Sequence, residues 1–181
     1  MKMGRFRNKR GMTLVEMLLA TLLISVVFLA VSALYVASQR FYLTANDKVI
    51  ILYELQYAAD HIYKNVMMGI GDKNNPAISV ASGNLAFSVR HIEETDPAQS
   101  PTYSDYTDDI KLTYKIEDNA LLFDGNDDGS FESLVSKITV VSDENSFSLS
   151  GDTLTISLTG TYKDQTLRFY SACYPRLASF N

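Results

Sequence analysis

Tryptophan is absent from the 181 residues, and cysteine occurs once, at Cys173. A lone cysteine excludes an intrachain disulfide and any cysteine-built zinc cluster. Histidine is nearly as scarce: His61 and His91 leave little for a histidine metal site or a histidine-based catalytic set. No Gly-x-Ser-x-Gly, phosphate-cradling glycine loop or His-Glu-x-x-His occurs, so the chain reads as a non-enzyme. The net charge of −5 argues against a dedicated nucleic-acid binder, since phosphates call for cations. Proline and glycine are missing from Met12 through Met68, so no helix breaker interrupts that stretch. What is present is apolar material: 46% hydrophobic residues with 11 Tyr and 9 Phe, enough for a core.

Charge is distributed unevenly. Five of the 16 basic residues (Lys2, Arg5, Arg7, Lys9 and Arg10) fall in residues 1–11, with no acid among them. Residues 12–38 then carry a single charge, Glu16. As a helix this apolar run reaches roughly 40 Å, more than a hydrocarbon core of ~30 Å requires. The basic flank predicts a cytoplasmic N-terminus, with the rest of the chain outside. A cleavable secretory signal would have a shorter apolar region and no acid near its start. A plain signal-anchor carrying an extracytoplasmic binding or sensor domain explains the flank and the run. It does not explain Glu16, because an isolated carboxylate among lipid tails costs a few kcal/mol.

Lys9-Arg10-Gly11-Met12-Thr13-Leu14-Val15-Glu16-Met17-Leu18 resembles the class III leader of type IV prepilins and pseudopilins. In that family a short basic leader ends in Gly, and Glu is the fifth mature residue; counted from Met12, Glu16 is the fifth. The resemblance implies cleavage between Gly11 and Met12 by a membrane-embedded prepilin peptidase, which then N-methylates Met12. Phe is commoner than Met at that first position. It further implies that the Glu16 carboxylate neutralises the new amine of an adjacent subunit during assembly. A buried charge without its partner is costly, which makes such pairing selective. The alternative is a Glu16 side chain snorkelling to the lipid headgroups. The partners implied are prepilin peptidase, other pilin or pseudopilin subunits, an inner-membrane assembly platform and membrane lipids. The location implied is the bacterial inner membrane, single-pass, and then a filament.

The helix is expected to continue through residues 39–68. Leu52, Leu55, Ala59, Ile62 and Val66 recur at steps of three and four, which makes one apolar face. Asp47, Lys48, Glu54, Asp60 and Lys64 decorate the rest, and His61 reads as a partly packed helix residue. Gly69, Gly71 and Asn74-Asn75-Pro76 form the stop. One helix of about 55 residues, near 80 Å, results. Many pilins carry a proline in the membrane half; here there is none.

Residues 69–181 turn to a period of two. Alternation marks strands at Leu85–Val89, Ile110–Glu117 and Leu154–Thr159, with shorter candidates at Ala77–Val80, Ala120–Phe123, Ile138–Val141, Ser146–Leu149 and Thr166–Tyr170. Ser150-Gly151-Asp152 and Lys163-Asp164-Gln165 read as hairpin turns. Residues 93–109 form a polar, acidic loop in which Asp108 and Asp109 read as surface residues. One sheet face needs a cover, and the Leu52–Val66 stripe supplies it. The expected fold class is therefore α+β: a long N-terminal helix, membrane-spanning in its first half, laid on an antiparallel β domain. The segments are a leader at 1–11, a membrane helix at 12–38, its amphipathic continuation at 39–68 and the globular domain at 69–181.

Asp124, Asn126, Asp128 and Gly129 match the opening positions of an EF-hand calcium loop, with Glu132 as a further ligand. Val135 stands where that motif needs its last Glu. Either the loop takes Ca²⁺ or it is a solvated turn. Tyr103, Tyr106 and Tyr114 form either a glycan- or surface-binding patch or packing at loop–sheet junctions. The resemblance reaches furthest toward a minor pilin or pseudopilin, closest in layout to W-type minor pilins and J-type pseudopilins of type II secretion. Features favouring it are the lone cysteine and the chain running on past its last strand as Cys173-Tyr174-Pro175-Arg176. Removing the leader would leave 11 basic residues against 21 acidic ones.

Overall fold

The computed structural model describes residues 12–72, 74–92, 106, 109–142 and 146–178. Helix α1 runs unbroken over Leu14–Met67. The chain divides into two compact units, one ending at Thr44 and the other beginning at Ala45.

In the first unit every large apolar side chain from Leu14 to Val36 is at least half exposed. The few hydroxyls turn back onto the helix: Thr21 Oγ1 donates to the Leu18 carbonyl (2.9 Å) and Ser25 Oγ to that of Thr21 (2.7 Å). Polar groups satisfied in this way remain compatible with a solvent that offers no hydrogen bonds. The helix is long and apolar enough to cross a membrane.

The second unit is α+β, as expected. Its strands are β1 (Ile70–Gly71), β2 (Ile78–Val80), β3 (Ala86–His91), β4 (Ile110–Glu117), β5 (Ala120–Asp124), β6 (Glu132–Ser133), β7 (Thr139–Val141), β8 (Phe147–Ser150), β9 (Thr153–Tyr162), β10 (Gln165–Cys173) and β11 (Leu177–Ala178). Strands β2 to β6 form an antiparallel meander in chain order. A second antiparallel sheet centres on β9, with β10 on one side and β7 and β8 on the other. Strands β1 and β11 pair in parallel, an element the alternation pattern does not signal because two residues carry no period. The β4–β5 hairpin turns on Asp118 and Asn119, both at positive φ, the geometry that suits right-twisted strands.

The alternating residues face inward as expected: Phe87, Val89, Leu112, Tyr114, Ile116, Leu154, Ile156 and Leu158 are all buried. The helix covers them with the expected face, Leu55, Ala59, Ile62 and Val66, except that Ile51 and not Leu52 is turned inward. Ile51, Leu55, Ala58, Ile62 and Val66 are buried, whereas Leu52 is 50% exposed. Close approach sets this difference. A β-carbon on Gly160 of β9 would come within 3.0 Å of Ile51 Cγ2 and 2.9 Å of Ile138 Cδ1, so Ile51 takes the slot that the missing side chain leaves. Glu54 also departs from expectation. It is 8% exposed, because its Oε2 accepts the Ser136 backbone N–H (3.1 Å) and so pins the β6–β7 connection to the helix. Asp47 is drawn in by Lys163 of the β9–β10 turn, Nζ to Oδ1 at 2.7 Å.

The helix stops where glycine allows. Gly69 N–H donates to the Val66 carbonyl (3.0 Å), and His91 Nε2 lies 2.7 Å from the Asn65 carbonyl. Arg176 N–H reaches the Met67 carbonyl (3.3 Å), so the C-terminal segment helps satisfy the last turn. At Gly71 any side chain would collide with the Ala77 backbone nitrogen and the Asn75 carbonyl.

Candidate functional site

Gly11 lies outside the described residues, so the processing position is seen from its C-terminal side alone. Met12 is exposed and precedes the helix. Thr13 is the N-cap. Its N–H donates to Glu16 Oε2 (2.8 Å), its Oγ1 approaches the same oxygen (3.1 Å), and Oγ1 also accepts the Glu16 N–H (3.3 Å). This reciprocal arrangement is a capping box, Thr-x-x-Glu, and it satisfies two amides that a helix start leaves without partners. The carboxylate also sits at the positive end of the helix dipole, where an anion is favoured. Glu16 is therefore already held within its own chain. Among the described residues these bonds use Oε2. The capping role of Thr13 was readable from the Thr-x-x-Glu spacing before an apolar run.

The exposed apolar surface that begins at Leu14 calls for cover by lipid or by other chains, because no described residue of its own unit covers it. An amine created at Met12 would stand beside the same helix start as Glu16, four residues away in sequence. One carboxylate can thus cap its helix and still offer an oxygen to a cation.

The Asp124 loop is organised by its own amides. Asp124 is buried, and its Oδ1 accepts from Asn126 N–H (3.2 Å) and its Oδ2 from Gly129 N–H (3.0 Å). Asp128 Oδ1 accepts from Ser130 N–H (2.7 Å), and Asn126 Nδ2 donates to Asp128 Oδ2 (2.8 Å). The amides of Ser130 and Asn126 hold the Asp128 carboxyl below its usual range. Asp127 and Gly129 adopt positive φ to make the turn. Glu132 stands in β6, opposite Phe123, and is exposed. Among the described residues no group of three or more His, Cys, Asp or Glu side chains is placed to hold a metal ion.

Tyr114 is not part of a surface patch. Tyr103 lies outside the described residues, and Tyr114 is wholly buried, stacked on Phe87 at 4.9 Å. Its hydroxyl meets His61 Nδ1 (3.0 Å) and the Asn65 amide, so burial pushes the phenol up while the hydroxyl keeps two partners. Tyr106 offers its carbonyl to Arg90 Nη1 (3.2 Å). Asp108 lies outside the described residues. Asp109 is not the surface residue expected, for its side chain is 1% exposed and pairs with Arg90 at 3.6 Å. The cation of Arg90 explains the burial, since a carboxylate leaves water only where a partner waits. Cys173 is buried, its thiol pushed up to about 11 by desolvation, which makes it an unreactive packing residue.

Residues 6–32 match the family model described as the prokaryotic N-terminal methylation motif. No curated protein and no solved structure matches the chain. The motif spans Gly11, Met12 and Glu16 and the first turns of the exposed apolar helix. Motif and helix together are consistent with a single-pass, membrane-anchored protein. The match at residues 6–32, on a long helix packed against antiparallel sheets, supports a type IV pilin-like protein processed by a prepilin peptidase and assembled with other pilin subunits.

Proposed function

We propose that this chain is a minor pilin or pseudopilin, a structural subunit that primes, tips or joins a type IV pilus or a type II secretion pseudopilus. It enters the inner membrane with its basic leader in the cytoplasm and its β domain outside. Cleavage after Gly11 frees the Met12 amine, methylation follows, and the apolar helix leaves lipid for the company of equivalent helices. Lipid tails and packed helices are both apolar, so the transfer needs a polar device to set register. Glu16 is that device: Oε2 keeps its own helix capped, and Oε1 receives the amine of a neighbouring subunit.

One observation carries this reading. Glu16 lies in the first turn of a helix whose large apolar side chains from Leu14 to Val36 are all exposed, in a stretch matched by the methylation motif. A plain signal-anchor would use that carboxylate only to cap its own helix. The minor role rests on sequence features, above all the lone Cys173 and the absence of a helix proline. Shearing filaments from cells that express the chain with its natural neighbours tests the assignment. A filament subunit appears in the sheared fraction, shortened by its leader. A chain found only in the membrane, at full length, is an anchored binding or sensor domain.

A further inference from the structure

Along the first unit of α1 the character of the side chains changes at one place. Residues 17–39 carry no charge and are bracketed by Glu16 and Arg40. At ~1.5 Å per residue they reach roughly 35 Å, which suits a hydrocarbon core of ~30 Å crossed by a tilted helix. Tyrosine is absent from residues 12–34, where Phe28 is the one aromatic. Tyr35, Phe41 and Tyr42 then follow within residues 35–42, with Gln39 and Arg40 among them. All five side chains are exposed. Thr44, Asn46, Asp47 and Lys48 come next in the sequence, side chains suited to water.

The hydrogen bonding changes at the same place. Inside the apolar stretch the hydroxyls of Thr21 and Ser25 are turned onto carbonyls of the helix itself, as hydrocarbon demands. At its end Gln39 Nε2 donates to the Tyr35 hydroxyl (3.3 Å), so polar tips meet each other instead. A phenol that accepts one bond has its own proton to donate. Tyr35, Ser38, Gln39 and Tyr42 line one shallow groove, and their spacings of three and four put them on one face. Arg40 and Phe41 fall on other sides of the helix, at about 100° per residue. Ring bodies joined to polar tips thus surround α1 where its uncharged run ends. Side chains of this kind are favoured where lipid tails give way to headgroups.

We propose that Tyr35, Gln39, Arg40, Phe41 and Tyr42 form a lipid-binding girdle that seats the C-terminal end of the membrane segment in a layer of phosphate headgroups. The rings lie at the level where acyl chains join the glycerol, and the Arg40 guanidinium takes lipid phosphate with its planar fork of donors. Depth is then set from two directions. Sliding inward would take Arg40 among the tails, and sliding outward would bring the apolar side chains before Tyr35 into water. Packing among protein helices alone would call for apolar side chains without regard to where the uncharged run ends. The coincidence of rings, amide and guanidinium at that end is what a headgroup layer selects. The inference rests on the membrane-anchored reading above and adds to it the place where the membrane stops.

The test uses the full chain in phosphatidylcholine vesicles. Because the chain has no tryptophan, a single introduced one reports alone. Phe28→Trp, Tyr35→Trp and Tyr42→Trp are compared for fluorescence quenching by lipids brominated deep or shallow in the acyl chain, and by acrylamide in the water. Phe28→Trp is expected to respond chiefly to deep bromine, and Tyr35→Trp several-fold more to shallow bromine than to deep. Tyr42→Trp should respond to shallow bromine, and to acrylamide several-fold less than free tryptophan does. Adding Arg40→Leu to Tyr42→Trp lowers the acrylamide response further, because the helix sinks once the phosphate contact is gone. Three results overturn the girdle while Phe28→Trp still reports insertion: deep quenching of Tyr35→Trp, a Tyr42→Trp as open to acrylamide as free tryptophan, or no effect of Arg40→Leu. Shielding of Tyr42→Trp that appears only at high protein-to-lipid ratio overturns it in favour of cover by other copies. A Phe28→Trp that neither bromine quenches overturns the membrane-anchored reading, and the girdle with it.

Discussion

Thr13 N–H and Glu16 Oε2 lie 2.8 Å apart, so the carboxylate expected to serve a neighbouring subunit first serves its own helix. The two roles can be separated, because a capping box accepts Gln as well as Glu. Glu16→Gln should keep the helix start and normal processing but lose the charge that a neighbour's amine requires. Incorporation into filaments should then fall as far as it does for Glu16→Ala. Filament yield and leader removal, measured side by side, check this. Normal incorporation of Glu16→Gln would assign Glu16 to capping alone.

Gly160 and Ile51 mark the closest approach of helix and sheet. Gly160→Val would insert an isopropyl group against Ile51, Leu55 and Ile138. Overpacking of this kind costs roughly 1–3 kcal/mol. Thermal unfolding should show the melting temperature of the β domain falling by several degrees. Gly160→Ala should cost less, because the neighbours it meets are side-chain ends that can shift.

Both histidines should make stability fall with pH. Burial lowers the His61 value, and Lys64 adds to the effect; burial also lowers His91, opposed by its bond to the Asn65 carbonyl. His61 faces Tyr57 and Lys64 from the helix, Tyr114 from β4 and Phe123 from β5. For a histidine whose folded value lies below its unfolded one, the stability is present above the unfolded value near 6.5 and lost as pH falls through the folded one. The melting temperature should therefore drop between pH 7.5 and 5.5. That window lies above the range of Asp72 and Asp128, whose carboxyls their neighbouring amides hold low. His61→Gln with His91→Gln should flatten the drop; an unchanged slope would place the pH sensitivity elsewhere.

The Asp124 loop should be held by its amides rather than by a cation. Asp124→Ala leaves the N–H groups of Asn126 and Gly129 without their acceptor, at a cost of about 1–3 kcal/mol. The loss of melting temperature should be the same in EDTA and in millimolar Ca²⁺. A Ca²⁺-induced rise in the intact chain that Asp128→Ala abolishes would make the loop a calcium site.

Much of the fold was legible because period and burial coincide. Alternation at Phe87–Val89, Leu112–Ile116 and Leu154–Leu158 marked inward faces that are buried. The freedom from Pro and Gly over residues 12–68 marked the single helix. What escaped depended on contacts between distant residues. Leu52 and Ile51 are equally apolar neighbours, and Gly160, more than a hundred positions away, decides which of them is buried. Glu54 and Asp109 looked solvated because their partners, the Ser136 amide and Arg90, are far away in the chain or across a loop. At the N-terminus the spacing of Gly11 and Glu16 points to a processing signal, which the methylation motif over residues 6–32 supports, and the Thr13-x-x-Glu16 spacing in the same stretch marks the helix cap.

The proposed processing makes Met12 the first residue of the mature chain. Mass spectrometry of the N-terminal peptide, from protein extracted out of membranes with an active prepilin peptidase, tests it most directly. The expected result is a chain starting at Met12 and carrying one N-methyl group. A chain that retains residues 1–11 and an unmethylated Met12 would contradict it.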